Sequence, residues 1–145
     1  MPVLSRLWIT LAALAGASGV AFAAYAAHGL SFIAEPEARE IARATLKTAS
    51  EIQLLHALAL LGIGLWTGQR PTDRWPHLAG LLFTVGIVLF SGLIYLRILS
   101  GYEGLRSYVP WGGSSLILAW LTLLPATWLT RKTPPAAQGA IHQPS

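Results

Sequence analysis

The chain has 145 residues, of which 54% are hydrophobic and only 11% are charged, with a formal net charge of +4. A soluble domain usually carries about 25% charged residues, so this composition excludes an ordinary water-soluble globular protein. The basic residues lie singly or in pairs between apolar runs, which disfavours a nucleic-acid-binding face and suits residues that flank membrane spans. There is no cysteine, which excludes disulfides, thiol catalysis and cysteine-ligated metal sites.

Four apolar segments approach the roughly 20 residues that a helix needs to cross a bilayer core about 30 Å thick. They are Leu7 to Leu30, Ile52 to Trp66, Leu78 to Leu99 and Trp111 to Leu129. Tryptophan favours the headgroup region, and five of the six lie at span ends (Trp8, Trp66, Trp75, Trp111 and Trp128), whereas Trp120 alone lies mid-span. We expect an all-α membrane protein with four transmembrane helices in a bundle.

The first segment also has features of a secretory signal peptide, because Arg6 precedes the apolar run and Ala21-Phe22-Ala23 resembles a cleavage site. The apolar run is longer than the usual signal-peptide core of about 7–15 residues. A first membrane span is therefore the favoured interpretation.

The stretch from Glu35 to Glu51 predicts an amphipathic interfacial helix that runs into the second span. Pro36 suits a first helical turn, and the pairs Glu35–Arg39 and Lys47–Glu51 are four residues apart on the polar side. The opposite side carries apolar and small residues at helical spacing. Such a helix lies where the bilayer meets water.

The remaining segments are predicted to connect the spans or to follow the last one. Residues 68–74 predict a short turn and residues 100–110 a second loop. Pro125 is expected to kink or weaken the last turn of the fourth helix. The four-helix domain then occupies residues 1–132, and the Pro-rich tail, 133–145, has too little apolar surface to fold alone and is predicted to be disordered.

Four spans bring both termini to one side of the membrane. Each side carries five basic residues, so the positive-inside rule does not decide by count. The terminal side has Arg6, Arg70, Arg74, Arg131 and Lys132; the other has Arg39, Arg43, Lys47, Arg97 and Arg106. The cations on the terminal side lie closer to span ends, which favours cytoplasmic termini.

Polar side chains in hydrocarbon need partners and are candidates for function. The first and third spans end on the side opposite the termini, and the second and fourth begin there, so most intramembrane polar residues fall in that half. We predict a ligand-binding cluster of Tyr25, His28, Gln53, His56, Ser91, Tyr95, Arg97, Ser114 and Ser115. The alternative is that these residues only cross-link the helices by hydrogen bonds. The other half is expected to hold mostly isolated threonines.

His28 and His56 are expected to lie at similar depth, where imidazoles could carry protons or bind a metal or haem. Two histidines are an incomplete zinc site, and Glu51 lies on a different helical face. Bis-histidine haem would need the imidazoles on opposite sides of the porphyrin. No nucleophile elbow, phosphate loop or HExxH motif occurs, so we expect no enzyme, no cofactor and no metal.

Small residues four apart are frequent and allow helix backbones to approach closely. They are Ala12/Gly16, Ala13/Ala17, Ala23/Ala27, Gly64/Gly68 and Ser115/Ala119. Packing inside one bundle explains them, and a homo-oligomer interface is the alternative.

Four stretches together resemble a known family: AAHGL at 26–30, QLLHALALL at 53–61, FSGLIY at 90–95 and PWGG at 110–113. In order and spacing they are similar to the bacterial domain of unknown function 423 family, related to the transmembrane protein 256 group, over residues 5–130. Ala26 stands where the family's FGAHGL pattern has glycine. The resemblance implies a four-helix inner-membrane protein and supplies no activity and no catalytic residues.

Three functional hypotheses follow. The first is a non-enzymatic membrane protein whose polar cluster binds a small ligand or lipid, or an accessory subunit of a larger membrane complex. The second is a transporter or channel component, although conduction needs polar groups along the whole path. The third is a metal- or haem-binding redox protein. The expected partners are the lipid bilayer and a homo-oligomer or membrane complex, with no nucleic acid.

Overall fold

The structure is a computed structural model, and it describes residues 1–129 as five α-helices joined by short connections. A single π-helical turn, Val88–Gly92, links the third helix to the fourth, and a 3₁₀ helix, Glu103–Tyr108, precedes the fifth. The helices are α1 (Val3–His28), α2 (Pro36–Gln69), α3 (Arg74–Ile87), α4 (Leu93–Ser100) and α5 (Val109–Leu129).

Four spans are long and apolar enough to cross a membrane, which confirms the predicted fold class. The third span runs through α3, the π turn and α4, so it begins at Arg74, four residues before the predicted Leu78. α1 packs mainly on α2, α3 packs mainly on α5, and α2 joins the two pairs through α3. α1 and α5 contain the least buried of the four spans.

The predicted amphipathic helix and the second span form one continuous helix, α2. Its 34 residues extend about 51 Å at 1.5 Å per residue, well beyond a bilayer core of about 30 Å. Pro36 occupies the first turn, where its missing N–H costs nothing. α2 runs antiparallel to α1: Ser5 bonds to Gly64, and Ala15 bonds to Gln53.

The connections depart from the prediction in two respects. The loop predicted at residues 100–110 contains the 3₁₀ helix, entered through Gly101 at φ 69, in the left-handed region that glycine tolerates. The π turn was not predicted. Pro125 lies inside α5, which continues to Leu129. The tail predicted at 133–145 lies outside the described residues.

Two apolar clusters fill the bundle. The one nearer the termini joins α1, α2, α3 and α5 through residues such as Trp8, Leu60, Phe83 and Ala119. The one at the opposite end joins α1, α2 and α4 around Leu46 and Tyr95. α1 contributes to both clusters, which supports its interpretation as a span of the folded bundle.

Candidate functional site

His56 lies near the middle of the bundle with both ring nitrogens hydrogen-bonded. Trp120 Nε1–H of α5 donates to His56 Nε2 over 3.2 Å, so the ring proton sits on Nδ1, which lies 2.6 Å from the Ile52 carbonyl oxygen. Phe83 packs against both rings, with centroids 5.5 Å from His56 and 5.2 Å from Trp120. This arrangement engages both imidazole nitrogens and fixes the orientation of the ring between α2 and α5.

The side chain of Gln53 connects α2 to the middle of α1 by two hydrogen bonds. Its side-chain nitrogen Nε2 donates to the Ala15 carbonyl oxygen and to Ser18 Oγ, each over 2.8 Å. The Ala15 carbonyl accepts only, so the amide orientation is determined by its partners. The other amide atom, Oε1, accepts no hydrogen bond from the described residues, although the side chain is only 3% exposed.

Three more predicted residues hold helices together. Ser91, in the π turn, donates to the Ala49 carbonyl of α2 over 2.8 Å. Tyr95 lies with its hydroxyl 3.5 Å from Ser50 Oγ and stacks on Phe22 of α1 with ring centroids 3.7 Å apart. Ser115 is buried and donates to the Leu82 carbonyl over 2.8 Å.

The other four predicted residues stand apart from this network. His28 is exposed at the end of α1, and Ser114 is exposed and bonds only to the Pro110 carbonyl of its own helix. Tyr25 is half-buried against the second apolar cluster. Arg97 is partly buried, with its Nε 3.8 Å from a carboxylate oxygen of Glu103.

The expectation that His28 and His56 lie at similar depth is therefore corrected. In the antiparallel pairing of α1 with α2, Ser5 lies beside Gly64 and Ala15 beside Gln53. Extending that pairing puts His28 level with about residue 41, so roughly 20 Å of helix separates it from His56. The two imidazoles cannot share one site.

The half of the bundle near the termini is also better connected than predicted. Ser5 is fully buried and donates to the Gly64 carbonyl over 2.8 Å. Trp8 Nε1–H donates to Nδ1 of His77 over 3.0 Å. Among residues 1–129, the helical threonines of this half bond only to carbonyls of their own helices, as expected, but a serine at the end of a span and an interfacial tryptophan both find partners on neighbouring helices.

Trp120 is the partner that sequence reasoning missed. It was noted as the one tryptophan in mid-span, and an indole N–H in hydrocarbon needs an acceptor. That requirement pointed to a polar partner at the same depth, and His56 is the partner that the fold supplies.

A groove of about 290 Å³ opens beside Gln53 between α1, α2 and the third span. Its walls are mainly apolar and include the stacked rings of Phe22 and Tyr95. The π turn contributes Val88 and Gly92. Only Ser18, Gln53, Thr84 and Tyr95 bring polar side chains to it. Gln53 lines this groove and its Oε1 has no partner among residues 1–129, so Oε1 is a candidate acceptor for a group bound there.

Comparison with known proteins identifies relatives along most of the chain. The sequence profile of the family described as "Protein of unknown function (DUF423)" matches residues 22–113. A UPF0382 membrane protein of Staphylococcus aureus is 33% identical over 124 residues, covering 85% of this chain and 96% of that protein. The UPF0382 inner membrane protein YgdD of Escherichia coli K12 is 33% identical over 129 residues, covering 88% and 95%.

A UPF0382 membrane protein of Haemophilus influenzae is 32% identical over 116 residues, covering 80% of this chain and 89% of that protein. No solved structure matches. With four membrane-spanning helices and relatives named as inner membrane proteins, the chain is a multi-pass protein of the bacterial inner membrane. The predicted cytoplasmic side of the termini stays a prediction.

Proposed function

The chain belongs to the DUF423 family of membrane proteins of unknown function, and from that starting point we propose that it binds a lipophilic molecule in the groove beside Gln53. The ligand carries an O–H or N–H group, which donates a hydrogen bond to Gln53 Oε1. The observation that carries the proposal is that Gln53 lines this groove while its amide oxygen has no partner among residues 1–129.

An unpaired amide oxygen is costly in an apolar environment. Water is scarce at this depth, because Gln53 bonds to Ala15, near the midpoint of α1. A ligand hydroxyl or N–H would remove the cost and orient the ligand. The remaining wall is mainly apolar, which matches a molecule that reaches the groove from the lipid phase.

The other polar groups of the groove support binding rather than catalysis. The hydroxyl of Ser18 donates to the Leu14 carbonyl, and that of Thr84 donates to the Gly80 carbonyl, each over 2.8 Å. The Tyr95 hydroxyl is directed to Ser50. With these donors engaged inside the protein, the groove presents an acceptor and no activated nucleophile. We therefore propose a non-enzymatic role.

Native mass spectrometry of protein purified with its membrane lipids tests the proposal. We expect one retained small molecule per chain, and chemical identification after its release should show an O–H or N–H donor. Two variants should lose it: Gln53→Leu, which removes the acceptor, and Gly92→Leu, which fills the groove. A Cβ at Gly92 meets no atom within 4 Å, so this substitution fits the fold.

Gly62→Leu is the matched control, because Gly62 also faces open space but does not line the groove. The control should retain the ligand. Equal retention by all three variants would show that the molecule binds elsewhere, and a ligand without a donor would contradict the role of Gln53.

A further inference from the structure

A second feature lies on a different side of the α1–α2 pair, where four charged residues follow one face of α2. Glu40, Arg43, Lys47 and Glu51 are spaced three, four and four residues apart, which aligns them along the helix. Arg43 Nη1 lies 3.3 Å from Glu40 Oε2, and Lys47 Nζ lies 3.9 Å from Glu51 Oε1. The group carries two positive and two negative charges and is neutral as a whole.

These charges lie against an uncharged part of a membrane span. Arg43, Lys47 and Glu51 line a cavity of about 320 Å³ together with Ala23 and Ala27 of α1. From Leu7 to Ala27, α1 carries no charged residue. Charged groups at the edge of hydrocarbon need polar partners, and the side chains of Lys47 and Glu51 are 71% and 61% exposed. The surroundings rather than the protein must satisfy their remaining hydrogen-bonding capacity.

An apolar groove continues from this charged end toward the middle of the membrane. Leu54 lines both the charged cavity and a neighbouring cavity of about 300 Å³, which reaches Gly16 and Ala57. From Arg43 to Gln53, which bonds to α1 near its midpoint, the helix advances about 15 Å, which is half of a bilayer core of about 30 Å. The charged end and the groove together therefore match the length of one lipid in one leaflet.

We propose that this surface binds one zwitterionic phospholipid with a primary ammonium group, from the leaflet opposite the termini. The phosphate contacts Arg43 and Lys47, the ammonium contacts the Glu40 carboxylate on the water side of Arg43, and one acyl chain lies along Leu54 toward Gly16. Arginine has five N–H donors, so its contact with Glu40 leaves donors for a phosphate. An anionic headgroup would place a like charge beside the Glu40 carboxylate.

This site is independent of the function proposed above, because different residues of α1 and α2 line the two grooves. Either site can fail its test without affecting the other.

The test is native mass spectrometry of delipidated protein titrated with phosphatidylethanolamine or phosphatidylglycerol of identical acyl chains. We expect phosphatidylethanolamine to bind with about tenfold higher affinity, the effect of about one charge-assisted hydrogen bond. Lys47→Gln should weaken binding of both lipids about tenfold. Glu40→Gln should weaken binding of phosphatidylethanolamine and strengthen binding of phosphatidylglycerol, which a purely structural role of Glu40 would not produce.

Gly16→Leu tests the acyl-chain groove, because a Cβ there meets no atom within 4 Å and the larger side chain fills the groove. It should weaken both lipids, whereas the controls Gly62→Leu and Arg106→Gln should bind as the unaltered protein does. Circular dichroism and gel filtration establish that each variant is folded.

Three outcomes would overturn the proposal. The first is equal affinity for the two lipids. The second is displacement of bound lipid by inorganic phosphate alone, which would show that the groove contributes nothing. The third is a dimer that Gly16→Leu dissociates and that excludes lipid, which would show that a second copy of the chain occupies the groove.

Discussion

Gly112 allows the first turn of α5 to pack directly on the backbone of the third span, and Gly112→Ala should disrupt that contact. A Cβ at this position would meet the backbone nitrogen of Phe90, the Leu89 carbonyl carbon at 2.7 Å and the Phe90 Cα at 2.9 Å. All three atoms belong to the backbone around the π turn, so no side-chain rotation relieves the overlap. α5 or the third span must move.

Overpacking of this kind costs about 1–3 kcal/mol, and the better helix propensity of alanine offsets roughly 0.5–1 kcal/mol of it. We therefore expect Gly112→Ala to lower the free energy of unfolding by about 1–2 kcal/mol. Gly16→Ala is the matched control, because its Cβ enters open space, and it should leave the stability unchanged or slightly raised.

The assay is equilibrium unfolding by sodium dodecyl sulfate in mixed micelles, followed by circular dichroism. Parallel titrations of the two alanine variants and the unaltered protein give the difference in unfolding free energy. If Gly112→Ala and Gly16→Ala unfold at the same detergent fraction, the close approach of α5 to the π turn does not contribute to stability, and the reasoning is refuted.

Two further predictions use the same titration. A double-mutant cycle of His56→Phe and Trp120→Phe should give a coupling free energy of about 0.6 kcal/mol, and at most roughly 1.7 kcal/mol. These are the values found for other interhelical hydrogen bonds in membranes. Strictly additive effects of the two substitutions would show that the indole does not donate to the imidazole. Ser115→Ala should destabilise the bundle by a similar amount because its hydroxyl bonds to α3, whereas Ser114→Ala should have no effect because its hydroxyl bonds within α5. Equal losses from the two serines would contradict this distinction.

Sequence reasoning recovered five of the nine cluster residues as buried interhelical contacts, and His56 illustrates the limit. A histidine in an apolar run needs partners, which the sequence indicates, but it does not reveal which helix supplies them. The partner on α5 is 64 residues away. His28 was grouped with His56 because both lie near the same ends of their spans, yet the axial shift of α1 along α2 separates them.

That axial shift comes from packing between particular residues. Gly64 lies where an added Cβ would meet Ile9 Cγ1 at 2.6 Å, and Gly19 lies where one would meet Leu54 Cδ2 at 2.9 Å. These two close approaches hold α1 against α2 in one alignment. Small residues indicate from sequence that helices can approach closely, but many alignments of such residues are compatible with the sequence alone.

The sequence by itself determined the four spans, their order and the membrane location, because a bilayer accepts only long apolar segments whose backbone groups bond internally. Only the tertiary structure decided which polar groups meet. It paired His56 with Trp120, placed Gln53 beside a groove, and brought the charged face of α2 beside the alanines of α1. The physical reason is that the bilayer accepts any apolar helix surface equally well, so it does not select how the helices are rotated or aligned. Hydrogen bonds and close backbone contacts do depend on the rotation and axial position of each helix.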